Sequence, residues 1–242
     1  MHLIKLNATE STNTFLKEYI RKNDAENYTV VCAKEQTKGR GQYNASWFSE
    51  GGKNLTFSVL LKFDSLFVKD QFYISKIISL AVKQVLVKFL PNKITVKWPN
   101  DILADDKKIA GILIENGLKN GIVSHSIVGI GLNVNQEQFP KQINAISMKN
   151  LSCSHWDLDV VLAAIVDSIK SHMYFLENRK LTEIDAEYLN ELYRFDQISN
   201  YADLNGNLIK GKIIGVSRIG KLQLELESKE REEFEIKELK FI

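Results

Sequence analysis

The chain has 242 residues, 44% of them hydrophobic, enough for one sizeable core and a small second domain. Lysine and arginine number 32 and aspartate and glutamate 30, so the net charge of +2 leaves no concentrated basic surplus of the kind nucleic acid attracts. No segment approaches the ~18–20 apolar residues of a membrane span, the N-terminus lacks a signal-like apolar run, and Cys32 and Cys153 follow no metal spacing, which points to a reduced, cytoplasmic protein.

In chain order, residues 2–7 alternate weakly and suit a short strand. Ser11 or Thr12 can cap a helix whose apolar pairs, Phe15/Leu16 and Tyr19/Ile20, share one face. Strands are expected over 29–33 and 54–63. Residues 70–89 place Ile74, Ile77, Ile78, Ala81, Val85 and Phe89 at helical spacing, and Pro91-Asn92 ends that helix. Strands over 93–98, 108–116 and 122–133 follow, with Gly117 and Asn120-Gly121 marking a hairpin turn between the last two. Residues 157–176 and 182–193 read as helices. From Ile198 onward short strands alternate with turns at Asn205-Gly206 and Ile219-Gly220. This order predicts an α+β fold, a mixed β-sheet covered by helices on one face, with a small β-barrel at the C-terminus.

Two stretches carry chemistry. In residues 97–115, KWPNDILADDKKIAGILIE, charged side chains cluster at the ends of strands that read as buried. Rigid sheet beneath and fixed charges at the rim are the usual construction of a site for a charged ligand. In residues 36–47, QTKGRGQYNASW, Gly39 and Gly41 flank Arg40, and Lys38 adds a second cation. Glycine and cations on one loop suit an anion, although the pattern is neither a Walker A loop nor a Rossmann fingerprint. A plain flexible hairpin fits the loop equally well.

These stretches, in this order, make the chain similar to the biotin–protein ligases. The matching pieces are Ser11-Thr12-Asn13, Gly39-Arg40-Gly41 with Trp47, Lys97-Trp98-Pro99-Asn100-Asp101, Lys108-Ile109-Ala110-Gly111-Ile112-Leu113 with Glu115, and Gly129-Ile130-Gly131-Leu132-Asn133-Val134-Asn135. The resemblance implies a class II synthetase-like catalytic domain with a seven-stranded sheet over residues 1–193, and an SH3-like barrel over 194–242. It also implies the activity: ATP and Mg2+ are used to activate biotin as biotinyl-5′-AMP, and biotin then passes to a lysine of a carboxylase's biotin-carrier domain. The signature starts at Ser11, so the N-terminal DNA-binding domain of many relatives is not expected, nor is sequence-specific DNA binding. An exposed edge of the central sheet could pair two copies or receive the acceptor by strand addition.

The resemblance assigns biotin to Ser11, Thr12, Asn13, Gln36, Arg40, Gly41, Gln42, Lys108, Gly111, Gly129 and Gly131. It assigns the adenylate to Arg40, Trp47, Lys108 and Asn133, with Asn133 reading adenine through its amide. Arg40, Lys108 and Asp101 become the catalytic group, Asp101 also serving Mg-ATP. Each has a plainer reading from the residues alone. Ser11-Thr12 can be a helix cap, Arg40 a solvated loop arginine, Lys107-Lys108 a hairpin charge pair and Asp101 a turn residue. Trp47 and Trp98 can be core or site, the first a wall near the adenylate and the second packing that fixes the corner. Gly129 and Gly131, interrupting an apolar strand, indicate a close approach by a ligand or a bulge.

Gln42 stands where many relatives have a second arginine, and Tyr43 to Ala45 lack a further cation, so fewer charges hold the adenylate. Residues 144–148 match the family's adenosine-side loop only loosely. Two other functions remain open at the level of sequence. One is a lipoate–protein ligase or octanoyltransferase of the same fold. The other is a non-catalytic biotin-binding regulatory module, for which two phosphate-facing cations would have no use.

Overall fold

Side-chain alternation along the central strands assigns each residue to one of two faces of a sheet. The computed structural model describes residues 2–242, without the side chain of Asn44. The strands are β1 (Leu3–Thr9), β2 (Val30–Gln36), β3 (Leu55–Phe67), β4 (Ile94–Lys97), β5 (Asp101–Ala104), β6 (Lys107–Lys119) and β7 (Ile122–Leu132). They form a seven-stranded sheet of order β1-β2-β3-β7-β6-β5-β4. Only β1 and β2 are parallel; the other neighbours run antiparallel. Val30, Val59, Leu61 and Val128 face the larger core, whereas Val31, Leu60 and Ile127 face a smaller one.

Helices α2 (Phe72–Phe89), α4 (Leu158–Glu177) and α5 (Leu181–Asn190) cover the larger face and pack on one another. Ile74, Ile77 and Ile78 of α2 are almost wholly buried, and such burial contributes about 1.5–3 kcal/mol per side chain. Helix α1 (Thr12–Lys22) lies on the opposite face, where Leu16 meets Val31, Leu60 and Ile127. The one-face cover read from sequence therefore holds for α2, α4 and α5, and α1 adds a small second layer on the other face. That second layer sets the position of the site.

Three details of the sequence reading change. The segment between Trp98 and Lys107 contains β5, which was not expected. Its four residues, DILA, are too few to show a period, and they sit between the cis Trp98–Pro99 peptide and a tight turn at Asp105-Asp106, both at positive φ. Gly117 lies inside β6 rather than in the turn, which is made by Asn120-Gly121 alone. Gly117 is needed because a Cβ there would come 2.0 Å from the His125 ring on the neighbouring strand. A short helix, α3 (Met148–Ser152), was also not expected; Ser147 and Asn150 close a reciprocal cap at its start.

Strands β8 (Ile198–Ala202), β9 (Leu208–Val216), β10 (Leu222–Leu226), β11 (Arg231–Phe234) and β12 (Lys240–Phe241) form a five-stranded antiparallel sheet of order β11-β10-β9-β8-β12. Its β9–β10 turn is fastened to the large sheet's helix layer. The Trp98 indole N–H donates to the Gly220 carbonyl at 2.9 Å. Arg218 forms a two-pronged ion pair with the buried Asp70 carboxylate. Trp98 thus packs at the corner, as expected, and also ties the C-terminal sheet to it.

Candidate active site

Three neighbouring strands carry small residues on the α1 face. Across them the register aligns Thr56, Gly131 and Gly111 in one row and Ser58, Gly129 and Leu113 in the next. The missing side-chain volume leaves a cleft of about 210 Å³ between the sheet, the start of α1 and the 36–47 loop. Small side chains here do two jobs. A Cβ on Gly129 would come 2.4 Å from Asn13 Oδ1, and one on Gly131 would come 2.3 Å from the Trp47 ring. β7 is not bulged at either glycine. The close approach anticipated from sequence is thus made, in this structure, by Asn13 and Trp47, with both glycines on the cleft wall.

The inner end of the cleft is a buried polar relay. Ser58 Oγ lies 2.7 Å from Thr12 Oγ1 and 2.6 Å from Asn13 Oδ1, and all three residues are at most 3% exposed. The Asn13 amide N–H group donates to Glu115 Oε2 at 2.8 Å and to the Leu113 carbonyl at 3.3 Å. With that orientation Asn13 Oδ1 accepts from the Ser58 hydroxyl, and the Thr12 hydroxyl donates onward to Gln36 Oε1 at 3.1 Å. The Thr12 backbone N–H donates to Gln36 Oε1 at 2.7 Å, which orients the Gln36 amide along the cleft. Ser11 is buried, makes no side-chain cap and lines the same cleft. Ser11 is the N-cap residue of α1 by position, as expected, but without a side-chain cap hydrogen bond, and the side chains of Thr12 and Asn13 turn into the relay.

Two cations stand at the outer end, each with one carboxylate. Arg40 Nη2 lies 3.0 Å from Glu115 Oε2, and Lys108 Nζ lies 2.6 Å from Asp101 Oδ1. The second contact is an ion pair without hydrogen-bond alignment, so the buried Asp101 Oδ1 still lacks an aligned donor. Lys108 also sits 5.6 Å from the Trp47 ring centre and rests its stem over Gly111. Lys107 is exposed and points the other way, so the two lysines are not an equivalent surface pair.

Trp47 divides the cleft from a smaller pocket of about 80 Å³, which shares Ser46, Trp47 and Lys108 with it and adds Asn133 and Phe139. The Asn133 amide N–H group is occupied by the Lys108 and Ile146 carbonyls at 3.3 and 3.1 Å, while its buried Oδ1 has no donor. Gly41 and Gln42 line the main cleft from the loop. That loop is a hairpin in which the Gly41 N–H donates to the Ala45 carbonyl and the Trp47 N–H to the Gly39 carbonyl at 3.0 Å. Its tip, Tyr43, is left-handed (φ 52) and half exposed.

Every residue to which the sequence reading gave a biotin, adenylate or catalytic role lines one of these two adjoining pockets, whereas Lys38, Trp98 and Lys107 lie outside both. Sequence reading missed the parts played by Ser58, Asn100 and Glu115. Asn100 brackets Ile112, donating to its carbonyl at 2.7 Å and accepting from its N–H at 3.0 Å, and so fastens the corner to β6. Ser58 had one signal, a hydroxyl interrupting the apolar run Phe57-Ser58-Val59-Leu60-Leu61.

Few buried contacts hold the loop, so residues 38–46 should exchange amide hydrogens quickly in the free protein and slowly with biotin plus ATP. Hydrogen exchange with and without both ligands measures this. Strong protection of the free loop would contradict it.

The chain matches the biotin/lipoate A/B protein ligase family over residues 6–133 and belongs to that family. It is 31% identical to the bifunctional ligase/repressor BirA of Bacillus spizizenii, over 93% of this chain and 69% of that protein. It is 28% identical to BirA of Escherichia coli K12, over 86% of this chain and 63% of that one. Among solved structures it is similar to the Aquifex aeolicus biotin protein ligase in complex with biotin and ATP, with 27% identity, a TM-score of 0.81, and coverage of 100% of this chain and 98% of that one.

Proposed function

We propose that this chain is an ATP-dependent biotin–protein ligase. One observation carries the reading: a cleft closed at one end by a buried polar relay holds two cations, Arg40 and Lys108, at the other. A bicyclic ureido ring needs donors and acceptors at the closed end, and a carboxylate meeting an α-phosphate needs cations at the open end.

In the first step a biotin carboxylate oxygen attacks the α-phosphorus of ATP. The bond from that phosphorus to the bridging oxygen breaks and pyrophosphate leaves. Arg40 and Lys108 offset the negative charge that gathers as the two anions meet, and a guanidinium can do so through two parallel donors. In the second step an acceptor lysine amine attacks the acyl carbon, AMP leaves with the bonding pair, and the amine loses a proton. The hairpin of residues 38–46 limits water, which would otherwise hydrolyse the anhydride. The buried, donor-free Asn133 Oδ1 supports placing adenosine in the smaller pocket, where an exocyclic amine could satisfy it.

Among the described residues no three metal-ligating side chains cluster. Mg2+ would arrive on the triphosphate, which typically takes only one or two protein carboxylates, and Asp101, ion-paired with Lys108, offers one. The ion would neutralise phosphate charge when bound. We take the acceptor to be the biotin-carrier domain of a carboxylase. The two free cysteines support a cytoplasmic setting. Among the described residues no helix is long and apolar enough to cross a membrane. Residues 194–242 form the second domain of this reading.

The relay also favours biotin over lipoate. A ureido ring carries donors and an acceptor that can hydrogen-bond at that polar end, whereas the dithiolane ring of lipoate offers it none. The test is pyrophosphate release with biotin, lipoate or neither. Release only with biotin is expected, and Arg40→Ala should lower that rate at least ~10²-fold, the scale of losing one preorganised donor. Equal or faster release with lipoate would replace this reading with that of a lipoate ligase. Release that ignores Arg40 would remove the arginine from the mechanism.

A further inference from the structure

Glu115 touches both halves of the site through a single oxygen. Its Oε2 accepts from the Asn13 amide at 2.8 Å, at the ring end of the cleft, and from Arg40 Nη2 at 3.0 Å, on the loop. Glu115 is on β6 and Asn13 on α1, both rigid elements, whereas Arg40 sits on the 36–47 hairpin with 45% of its side chain exposed. The side chain of Glu115 is 27% exposed, so it meets Arg40 at the cleft rim rather than in open solvent. Only one of the five guanidinium N–H donors is used by this contact. The remaining edge is available to a second anion without breaking the first contact.

We propose that Glu115 is a positioning residue: it tethers Arg40 over the cleft and, with the same oxygen, sets the orientation of Asn13. The inference rests on the ligase reading for its kinetic consequence, but the tether itself concerns only this chain's residues. A long cation on a hairpin loses orientational freedom when one donor is fixed, and the free edge then meets the carboxylate and phosphate already aimed. The Asn13 contact has another consequence. Glu115 holds the Asn13 amide so that Oδ1 faces Ser58, which fixes the direction of the whole relay. One carboxylate therefore links recognition at the ring end with the cation at the reacting end.

Glutamine and alanine at this position separate the two roles. Glu115→Gln keeps a carbonyl oxygen for Asn13 but removes the charge that holds Arg40. Glu115→Ala removes both. The expected result for E115Q is a kcat for biotin-dependent pyrophosphate release lowered about ten- to hundredfold, the scale of a lost charged hydrogen bond. The KM for biotin should stay within about twofold, because uniform binding at the ring end is intact. E115A should lower kcat to the same degree and also raise the KM for biotin about tenfold or more. In an Arg40→Ala background, E115Q should have almost no further effect, because its partner is gone.

A second measurement needs no substrate. Amide exchange at Gly41, Ala45 and Trp47 should be faster in E115Q than in the unaltered chain, and unchanged by E115Q once Arg40 is alanine. Wild-type kcat in E115Q, or an undiminished loss in the Arg40→Ala background, overturns the proposal. So does equal loop exchange in the two proteins. If the unaltered chain releases no pyrophosphate with biotin, the ligase reading fails instead, and the exchange comparison still decides the tether.

Discussion

Lys108→Ala is expected to lower kcat for biotin-dependent pyrophosphate release by about 10²–10³-fold while leaving the affinity for biotin alone within a few-fold. The ammonium lies where the cleft and the smaller pocket meet, 2.6 Å from Asp101 and beside Trp47. Its charge is of most use when carboxylate and α-phosphate are both present, which happens in the transition state rather than in the biotin complex. Lys108→Arg should rescue poorly. The Lys108 stem lies close over Gly111, whose Cβ, if present, would sit 3.1 Å from Lys108 Cε, and a planar fork needs more room than a compact ammonium. Lys107→Ala is the control, being exposed on the other side of the strand. Rates from all three variants, beside calorimetric biotin affinity, test this. If Lys107 and Lys108 substitutions behave alike, the catalytic assignment of Lys108 is wrong.

Gly220→Ala is expected to destabilise the protein by about 2–6 kcal/mol, through two separate costs. The residue has φ +98, which L side chains rarely adopt, and such conformations cost about 1–3 kcal/mol. Its Cβ would also lie 2.4 Å from the Phe72 ring of α2, and overpacking of this kind costs about 1–3 kcal/mol. For a chain of this length the midpoint of thermal unfolding should fall by roughly 4–24 °C. Because the Gly220 carbonyl also accepts from Trp98, the variant disturbs the corner that carries Asn100 and Asp101. Denaturation by heat, followed by circular dichroism and by tryptophan fluorescence, tests it. An unchanged midpoint would mean that the β9–β10 turn shifts freely on the helix layer. Gly206, also at positive φ but with nothing within 4 Å of its Cβ, is the comparison site that carries the backbone cost alone.

Most long elements were legible because their periods are clean. Helix α2 shows helical spacing over its whole length, and the Asn120-Gly121 turn announces the β6–β7 hairpin. Strand β5 was not legible because four residues between two turns carry no measurable period. Helix α3 failed for a similar reason: it is one turn and a half, and its cap is made by Ser147 and Asn150 rather than by an apolar face. Gly117 was read as a turn residue because glycine most often marks turns. Its real constraint, the His125 ring across the hairpin, is a contact between strands and leaves no local mark.

The sequence by itself determined the α+β class, the two sheet regions and the residue types of the site. Those follow from local periods, glycine placement and the bunching of charge around Arg40, Asp101 and Lys108. Only the tertiary structure decided which charges meet. It paired Arg40 with Glu115 and Lys108 with Asp101, turned Ser58 and Asn13 into one relay, and gave Gly129 and Gly131 to Asn13 and Trp47 as neighbours. It also placed α1 alone on the second face of the sheet, so that the cleft opens there. The physical reason is distance along the chain. Arg40 and Glu115 are far apart in sequence, and only strand register and the packing of α1 bring a loop cation, a helix amide and a strand carboxylate to one oxygen.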